Sequence, residues 1–120
     1  MTTDLAGAVA DVVARLRAGG VRAVSDLRDV NPPCVYVTPP QLAFRFGKGY
    51  ADAGWTIAAV VPNSGRDAAL KLLGPLISQV AAALPATPIT DGRPVDLSGL
   101  DGGAPLPAYE LTFTSRISLG

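Results

Sequence analysis

Hydrophobic residues recur at helical spacing near the start of the chain. The first segment carries them at Leu5, Ala8, Val9, Val12, Val13 and Leu16. These intervals of three and four residues predict an amphipathic helix with one apolar stripe facing a core. Thr3 and Asp4 are suited to cap this helix, and Gly19 with Gly20 is expected to end it.

A second amphipathic pattern predicts a helix over about residues 66–84. Its apolar side is formed by Leu72 or Leu73, then by Leu76, Ile77, Val80 and Leu84. Gly74 and Pro75 fall inside the pattern, and proline costs about 3 kcal/mol in a helix interior. We therefore expect a kink or a short break at this point.

Shorter apolar runs between turn residues predict strands. The stretch VRAVSD (21–26) alternates like a half-buried strand, whereas CVYVT (34–38) is apolar on both faces and is predicted to be central. Proline pairs at 32–33 and 39–40 flank CVYVT. Because proline has no N–H to donate, we expect these pairs to end strand pairing on both sides and fix the strand's length.

The stretch QLAFRFGKGYADAG (41–54) starts with strand-like alternation and then runs into glycines, which predicts a hairpin tip or loop. Its GKG lacks the spacing of a phosphate-binding loop. WTIAAVV (55–61) is a strong strand pattern, and PVDL (94–97) predicts a short edge strand. SGLDGGAPLP (98–107) has no periodicity and is expected to order only against another surface.

The last segment, AYELTFTSRIS (108–118), alternates between apolar and polar residues. One face carries Tyr109, Leu111, Phe113 and Ile117, and the other carries Glu110, Thr112, Thr114 and Arg116. This pattern is typical of an antiparallel strand with one wet face. The elements together predict a single domain over residues 1–120. Its fold class is α+β, a two-layer sandwich in which two helices pack on one face of a mostly antiparallel sheet of four to five strands.

Charge and hydropathy exclude several classes of function. The chain has ten basic and ten acidic residues, without a run of either sign, which disfavours sequence-specific nucleic-acid binding. Its apolar stretches are shorter than the ~20 residues of a membrane span. The first residues include an acid and no basic cluster, so we expect no secretory signal and synthesis in the cytoplasm.

The chain is poor in residues that perform chemistry. It contains no histidine and one cysteine, Cys34, so neither an internal disulfide nor a cysteine zinc cluster is possible. Cys34 lies in a strand pattern and is expected to be a packed thiol. Asp26 and Asp29 lie near Arg28, a grouping typical of solvated turns. We predict no enzyme activity and no catalytic, cofactor-binding or metal-binding residue.

Association with other proteins is the remaining class of function. Four aromatic residues would anchor an interface if they were exposed, namely Trp55, Tyr36, Tyr50 and Tyr109. For Trp55 the pattern leaves both a core and an interface position open and slightly favours the core.

Three stretches of the chain resemble a known family: AVSDLRDVNPPCVYVTPP (23–40), GWTIAAVVP (54–62) and LPAYELTFTSRI (106–117). With the first helix and the Leu- and Ala-rich second helix, they resemble the tail terminators of long-tailed phages of actinobacteria. These are similar to lambda-type terminators and tail completion proteins. The resemblance covers most of the chain.

The resemblance implies a structural virion protein. A hexameric ring of it would sit on the head-proximal end of the tail tube, end tube polymerisation and present a surface to the head connector. Its partners would be further copies of itself, the tail tube protein and the head-closure or connector protein. We expect a monomer or weak oligomer in dilute solution. A head-closure or adaptor protein, a tail tube protein of the same phage, and a small non-viral ligand-binding domain remain alternatives.

A closed ring requires two different complementary surfaces on each copy. By their location in loops and on the wet face of the last strand, the candidate interface residues are Asp26, Arg28, Asp29, Arg45, Lys48, Tyr50, Arg66, Glu110 and Arg116.

Overall fold

The computed structural model describes residues 5–44, 50–63, 65–84, 88–97 and 105–118, with only the backbone described at Leu27, Tyr50 and Ser118. These ranges contain two α-helices, one 3₁₀ turn and six strands. In chain order they are α1 Leu5–Ala18, β1 Ala23–Val24, the 3₁₀ turn Leu27–Asp29, β2 Cys34–Val37, β3 Gln41–Phe44, β4 Tyr50–Val60, α2 Arg66–Ala83, β5 Asp91–Leu97 and β6 Leu106–Ser118.

All six strands belong to one sheet with the order β1-β2-β4-β6-β5, and β3 also pairs with β4. Only β1 and β2 are parallel, and the other pairs are antiparallel. The predicted α+β class is confirmed. The sheet has six strands instead of four to five. The strand-like alternation that starts at Leu42 is confirmed as β3, and residues 50–54, for which the sequence predicts no strand, form the first half of β4.

Both helices pack on one face of this sheet and bury the main core. Its largest fully buried side chains include Trp55, Phe113, Leu16 and Ile57. Trp55 is 1% exposed, which resolves its position in favour of the core. The predicted stripe of α1 is confirmed at Ala8, Val12, Val13 and Leu16, while Leu5 at its start is exposed.

α1 ends as its two glycines predict. The N–H of Val21 donates to the carbonyl of Leu16 (2.9 Å), and the N–H of Gly20 donates to the carbonyl of Arg17 (3.0 Å). These two bonds define a Schellman cap, whose penultimate residue adopts a left-handed conformation. Gly20 has φ +84°, which glycine adopts without steric cost. The cap turns the chain directly into β1.

α2 runs without a break from Arg66 to Ala83, although Pro75 lies inside it. The short break allowed by the sequence is therefore absent. Pro75 removes one helical N–H and leaves the carbonyl of Lys71 without its helical partner. Lys71 and Pro75 are both exposed, so water can hydrate that carbonyl. The sequence allows either Leu72 or Leu73 on the apolar side of this helix. Leu73 faces the core at 3% exposure, and Leu72 is 44% exposed.

β2 and β3 lie end to end along the same side of β4. Val37 is opposite Ile57 and Gln41 is opposite Gly54, so residues 38–40 face only two residues of β4. The extra residue is a β-bulge, and the Thr38 hydroxyl donates to the Thr56 carbonyl within it. Pro39 and Pro40 end the pairing of β2, which stops at Val37 as predicted. They do not end pairing along this side of β4, because it resumes at Gln41 with the opposite set of residues facing the helices.

Two further strands are longer than predicted. β4 begins at Tyr50, five residues before the WTIAAVV pattern, because the small residues from Ala51 to Gly54 pair with β3 on one side and β6 on the other. β5 covers Asp91–Leu97 and exceeds the predicted PVDL. Its Pro94 is tolerated because β5 is an edge strand.

Candidate interaction surfaces

The candidate residues do not converge on one site. Asp26, Arg28 and Asp29 lie together in and next to the 3₁₀ turn. Glu110 and Arg116 lie on β6, on the face of the sheet opposite the helices, which we call the second face. Arg66 begins α2 and Tyr50 begins β4. Arg45 and Lys48 lie outside the described residues.

The turn cluster is a self-contained ion pair. Asp26 accepts hydrogen bonds from the Arg28 side chain (Nη2 to Oδ2, 3.0 Å) and from the Arg28 backbone N–H (3.0 Å). Hydrogen bonding from Arg28 lowers the pKa of the Asp26 carboxyl. The Asp29 N–H donates to the Asp26 carbonyl at 2.9 Å. These contacts match the solvated turn that the sequence predicts, with Asp26 organising the backbone two residues ahead.

The second face carries a small apolar cluster where β2, β4 and β6 lie side by side, formed by Cys34, Ala58, Val60 and Ala108. Partly buried side chains surround it, namely Val30, Tyr36, Val95, Leu97 and Leu106. Burial of the Cys34 thiol raises its pKa, so the thiol stays protonated at neutral pH. Val30 reaches this cluster from the β1–β2 connection, which therefore packs on the second face.

The rest of the second face is polar and is organised by cross-strand ion pairs. Arg93 and Glu110 are direct partners on β5 and β6, with Nε and Nη2 of the arginine both 2.8 Å from Oε1. Asp52 and Arg116 are direct partners on β4 and β6, with Nε of the arginine 3.7 Å from Oδ1 of the aspartate. Gly54 lies beside the second pair and leaves a shallow depression of about 760 Å³. Both pairs are solvent-accessible and carry no net charge.

Arg66 borders a different feature, a groove of about 550 Å³ between the first half of α2 and the ends of β5 and β6. Its lining includes Leu70, Leu73, Pro94, Asp96, Pro107 and Tyr109. Tyr109 is partly buried against the main core and Tyr36 against the apolar cluster of the second face. Both therefore present only part of their rings to a partner.

Sequence patterns missed the partners of two predicted residues. Arg93 and Asp52 were not singled out, although they pair with Glu110 and Arg116. Local alternation shows which face a residue occupies, but it does not show which strand lies beside it. Phe44, at 66% exposure the most exposed large apolar side chain of the described residues, was also missed.

Within the described ranges, His, Cys, Asp and Glu side chains form no group of three or more that could hold a metal ion. Neither described helix has the length and apolar character needed to cross a bilayer. A scan against protein-family models found no match to the chain, and a search of curated proteins found no matching sequence.

Proposed function

We propose that this chain is a structural virion protein, a tail terminator whose hexameric ring caps the head-proximal end of a phage tail tube. The observation that carries the proposal is the one-sided covering of the sheet. α1 and α2 cover one face, and the polar half of the second face, with Glu110 and Arg116, stays accessible. A ring subunit needs several distinct surfaces, because it contacts two neighbouring copies, the tube below and the connector above.

The resemblance of three sequence stretches supplies the specific role, and the distribution of the candidate residues is consistent with it. Asp26 and Arg28 lie at the 3₁₀ turn, Arg66 at the start of α2, and Glu110 with Arg116 on the second face. Candidate residues on several elements suit a protein that meets several partners at once. In this proposal the protein acts by binding and carries out no reaction.

The test is a tube-polymerisation assay. The tail tube protein of the same phage is allowed to polymerise with and without the purified chain, and tube lengths are measured by electron microscopy. We expect the chain to stop growth at substoichiometric amounts and to appear as a ring at one tube end. If the chain forms tubes by itself, it is a tube protein. If it leaves tube length unchanged and binds a small molecule, the terminator role is excluded.

A further inference from the structure

The sheet narrows from five strands to three along its length. β5 pairs with β6 only from Leu106 to Thr112, and β2 pairs with β4 only from Ile57 to Val60. Beyond these points the sheet consists of β3, β4 and the second half of β6. Within the described residues, no strand pairs with the outer side of β3 or with the outer side of Phe113–Ser118.

The backbone of β6 can be followed residue by residue. The carbonyl of Thr112 accepts from the N–H of Thr90 (2.8 Å), on the side where β5 lies. Successive residues of a strand direct their backbone groups to opposite sides. Thr114, Arg116 and Ser118 therefore direct their N–H and C=O groups outward, along an edge about 20 Å long at 3.3 Å per residue. The side chains of Thr114 and Arg116 are exposed beside this edge.

The other long edge of the sheet is protected against strand addition. In β5, Arg93 and Val95 pair with the β6 residues that point toward β5, so Pro94 lies at an outward position and offers no N–H. β1 has only two residues. Phe113–Ser118 contains no proline or lysine, and its one charged side chain, Arg116, lies 3.7 Å (Nε to Oδ1) from Asp52 of the neighbouring strand. This edge is therefore the one best suited to receive another strand.

The outer edge of β3 has matching features. The N–H of Val35 donates to the Arg22 carbonyl, so the backbone groups of Val35 and of its partner Ala59 point away from each other. The even-numbered residues of β4 therefore direct their backbone groups toward β2 and β3. Gln41 and Ala43 pair with even-numbered residues, which leaves the backbone groups of Leu42 and Phe44 pointing outward. The Phe44 side chain, on the same edge, is 66% exposed. A strand added at this edge would cover the ring, and aromatic side chains contribute strongly when they are buried in an interface.

We propose that the β6 edge of one copy, Phe113–Ser118, pairs with the β3 edge of a second copy, Gln41–Phe44. The sheet then continues from copy to copy. The faces match, since Leu42 and Phe44 lie on the helix-covered face like Phe113 and Ile117. Gln41 and Ala43 join Thr114 and Arg116 on the second face. Phe44 becomes covered in the contact.

The occupant is a second copy because the two edges lie on opposite sides of the same three-stranded half. Each copy thus offers one edge of each kind, and such a head-to-tail contact repeats around a ring. β3 and β6 run in the same direction, since both are antiparallel to β4. If a second copy is generated by rotation about an axis parallel to the strands, its strands run in the same direction as those of the first. The contact between β6 of one copy and β3 of the next is then parallel. Ring closure rests on the proposed function, whereas the edge pairing does not require it.

Disulfide trapping tests the pairing. In a Cys34→Ala background, Ala43→Cys is combined with Thr114→Cys, or with Arg116→Cys for the neighbouring register. Within one copy each pair of positions is separated by β4, about 10 Å or more apart, which is beyond disulfide reach. Oxidation of concentrated protein should give a ladder of covalent oligomers from at least one double variant. Each single variant should form no disulfide-linked dimer, because head-to-tail pairing never brings two identical positions together.

A second measurement uses the exposed ring. Phe44→Ala should weaken self-association about ten-fold or more, as truncation of an interface anchor does. Leu72→Ala, at 44% exposure on α2, is the matched control and should leave it unchanged. Disulfide-linked dimers from single variants, or equal effects of Phe44→Ala and Leu72→Ala, would overturn the pairing.

The two proposals fail in different ways. Closed rings without cross-links in either double variant would overturn the edge pairing and leave the terminator role intact. Cross-linked ladders from a chain that does not cap tubes would support the edge pairing and contradict the terminator role. A chain that stays monomeric alone and on tubes would contradict both.

Discussion

Trp55 and Phe113 are direct partners on β4 and β6, and their rings stack at a centroid distance of 5.9 Å with an interplanar angle of 10°. The indole N–H of Trp55 also donates to the Ser115 hydroxyl at 2.9 Å. The two longest strands are thus joined in the core by an aromatic pair and a side-chain hydrogen bond. Cross-strand pairs of this kind hold the register of a sheet.

Phe113→Ala should lower the free energy of unfolding by about 3–5 kcal/mol, since it removes a buried ring and leaves a cavity. Ser115→Ala should cost only about 1 kcal/mol, the usual contribution of one hydrogen bond. Urea unfolding followed by Trp55 fluorescence measures both. A Phe113→Ala cost no larger than that of Ser115→Ala would mean that the ring pair does not stabilise the core.

The helix ends meet at Gly19. A Cβ at this position would lie 2.6 Å from the Cβ of Ala83, a distance that forces the helices apart. Gly19→Ala should therefore cost about 1–3 kcal/mol, the range for overpacking. In the double variant Gly19→Ala/Ala83→Gly most of this cost should disappear. Thermal or urea unfolding of the four proteins gives the coupling, and additive costs would contradict the contact.

Gly74 in α2 is the comparison position, because a Cβ there meets no atom within 4 Å beyond its two chain neighbours and the backbone of its own helix. Two effects oppose each other at this position: alanine gains up to about 1 kcal/mol of helix propensity, and its Cβ meets the ring of the following Pro75. Gly74→Ala should therefore change the free energy of unfolding by less than about 1 kcal/mol, and less than Gly19→Ala does. A cost of Gly74→Ala as large as that of Gly19→Ala would contradict the contact between Gly19 and Ala83 as the special cause.

The Cys34 thiol should be unreactive in the folded protein. It is fully buried, and a thiol reagent reaches it only after unfolding. We expect labelling of native protein at pH 8 to follow the rate of opening and labelling in urea to be immediate. Fast labelling of the native protein would show that the β1–β2 connection opens without global unfolding.

The same burial predicts a pH dependence. The pKa of Cys34 is raised in the folded state above the value of about 8.5 in unfolded chains. Below pH 8.5 the thiol is neutral in both states and stability is unaffected. Above it the unfolded chain ionises first, so stability falls as pH rises. The difference in unfolding free energy between the wild type and Cys34→Ala should shrink from pH 8 to pH 10, and a constant difference would contradict burial of the thiol.

Reversing the charge of Glu110 tests whether the second face is needed for binding to the tube without unfolding the protein. Glu110→Lys places a cation beside Arg93, and Asp11→Lys does the same beside Arg15 on α1. Each exposed pair contributes about 0–1 kcal/mol, so both variants should remain folded. Glu110→Lys should impair tube capping, whereas Asp11→Lys should not. Equal capping by both variants would remove the second face from the proposed contacts.

Much of the fold could be predicted from the sequence because it is encoded locally. The stripe of α1, its glycine cap and the alternation of β6 are short-range patterns, and each is confirmed. The sequence also predicts the class correctly, since two amphipathic helices and several strands have few economical arrangements.

The remaining features depend on residues far apart in the chain. The start of β4 lacks β-branched residues, and its strand conformation comes from pairing with β3 and β6. The bulge at 38–40 follows from the register of β2 and β3 against β4. The pair Asp52–Arg116 requires the register of β4 against β6, so neither residue's neighbour could be predicted from local sequence.

The central claim is that this protein functions through the contacts it makes in a ring. Under the proposed function, electron cryo-microscopy of the phage particles tests this claim most directly. The account predicts a closed ring of this chain between the tail tube and the head connector, with β3 of each copy beside β6 of the next. Density for the chain elsewhere in the particle, or its absence from the particle, would contradict the account.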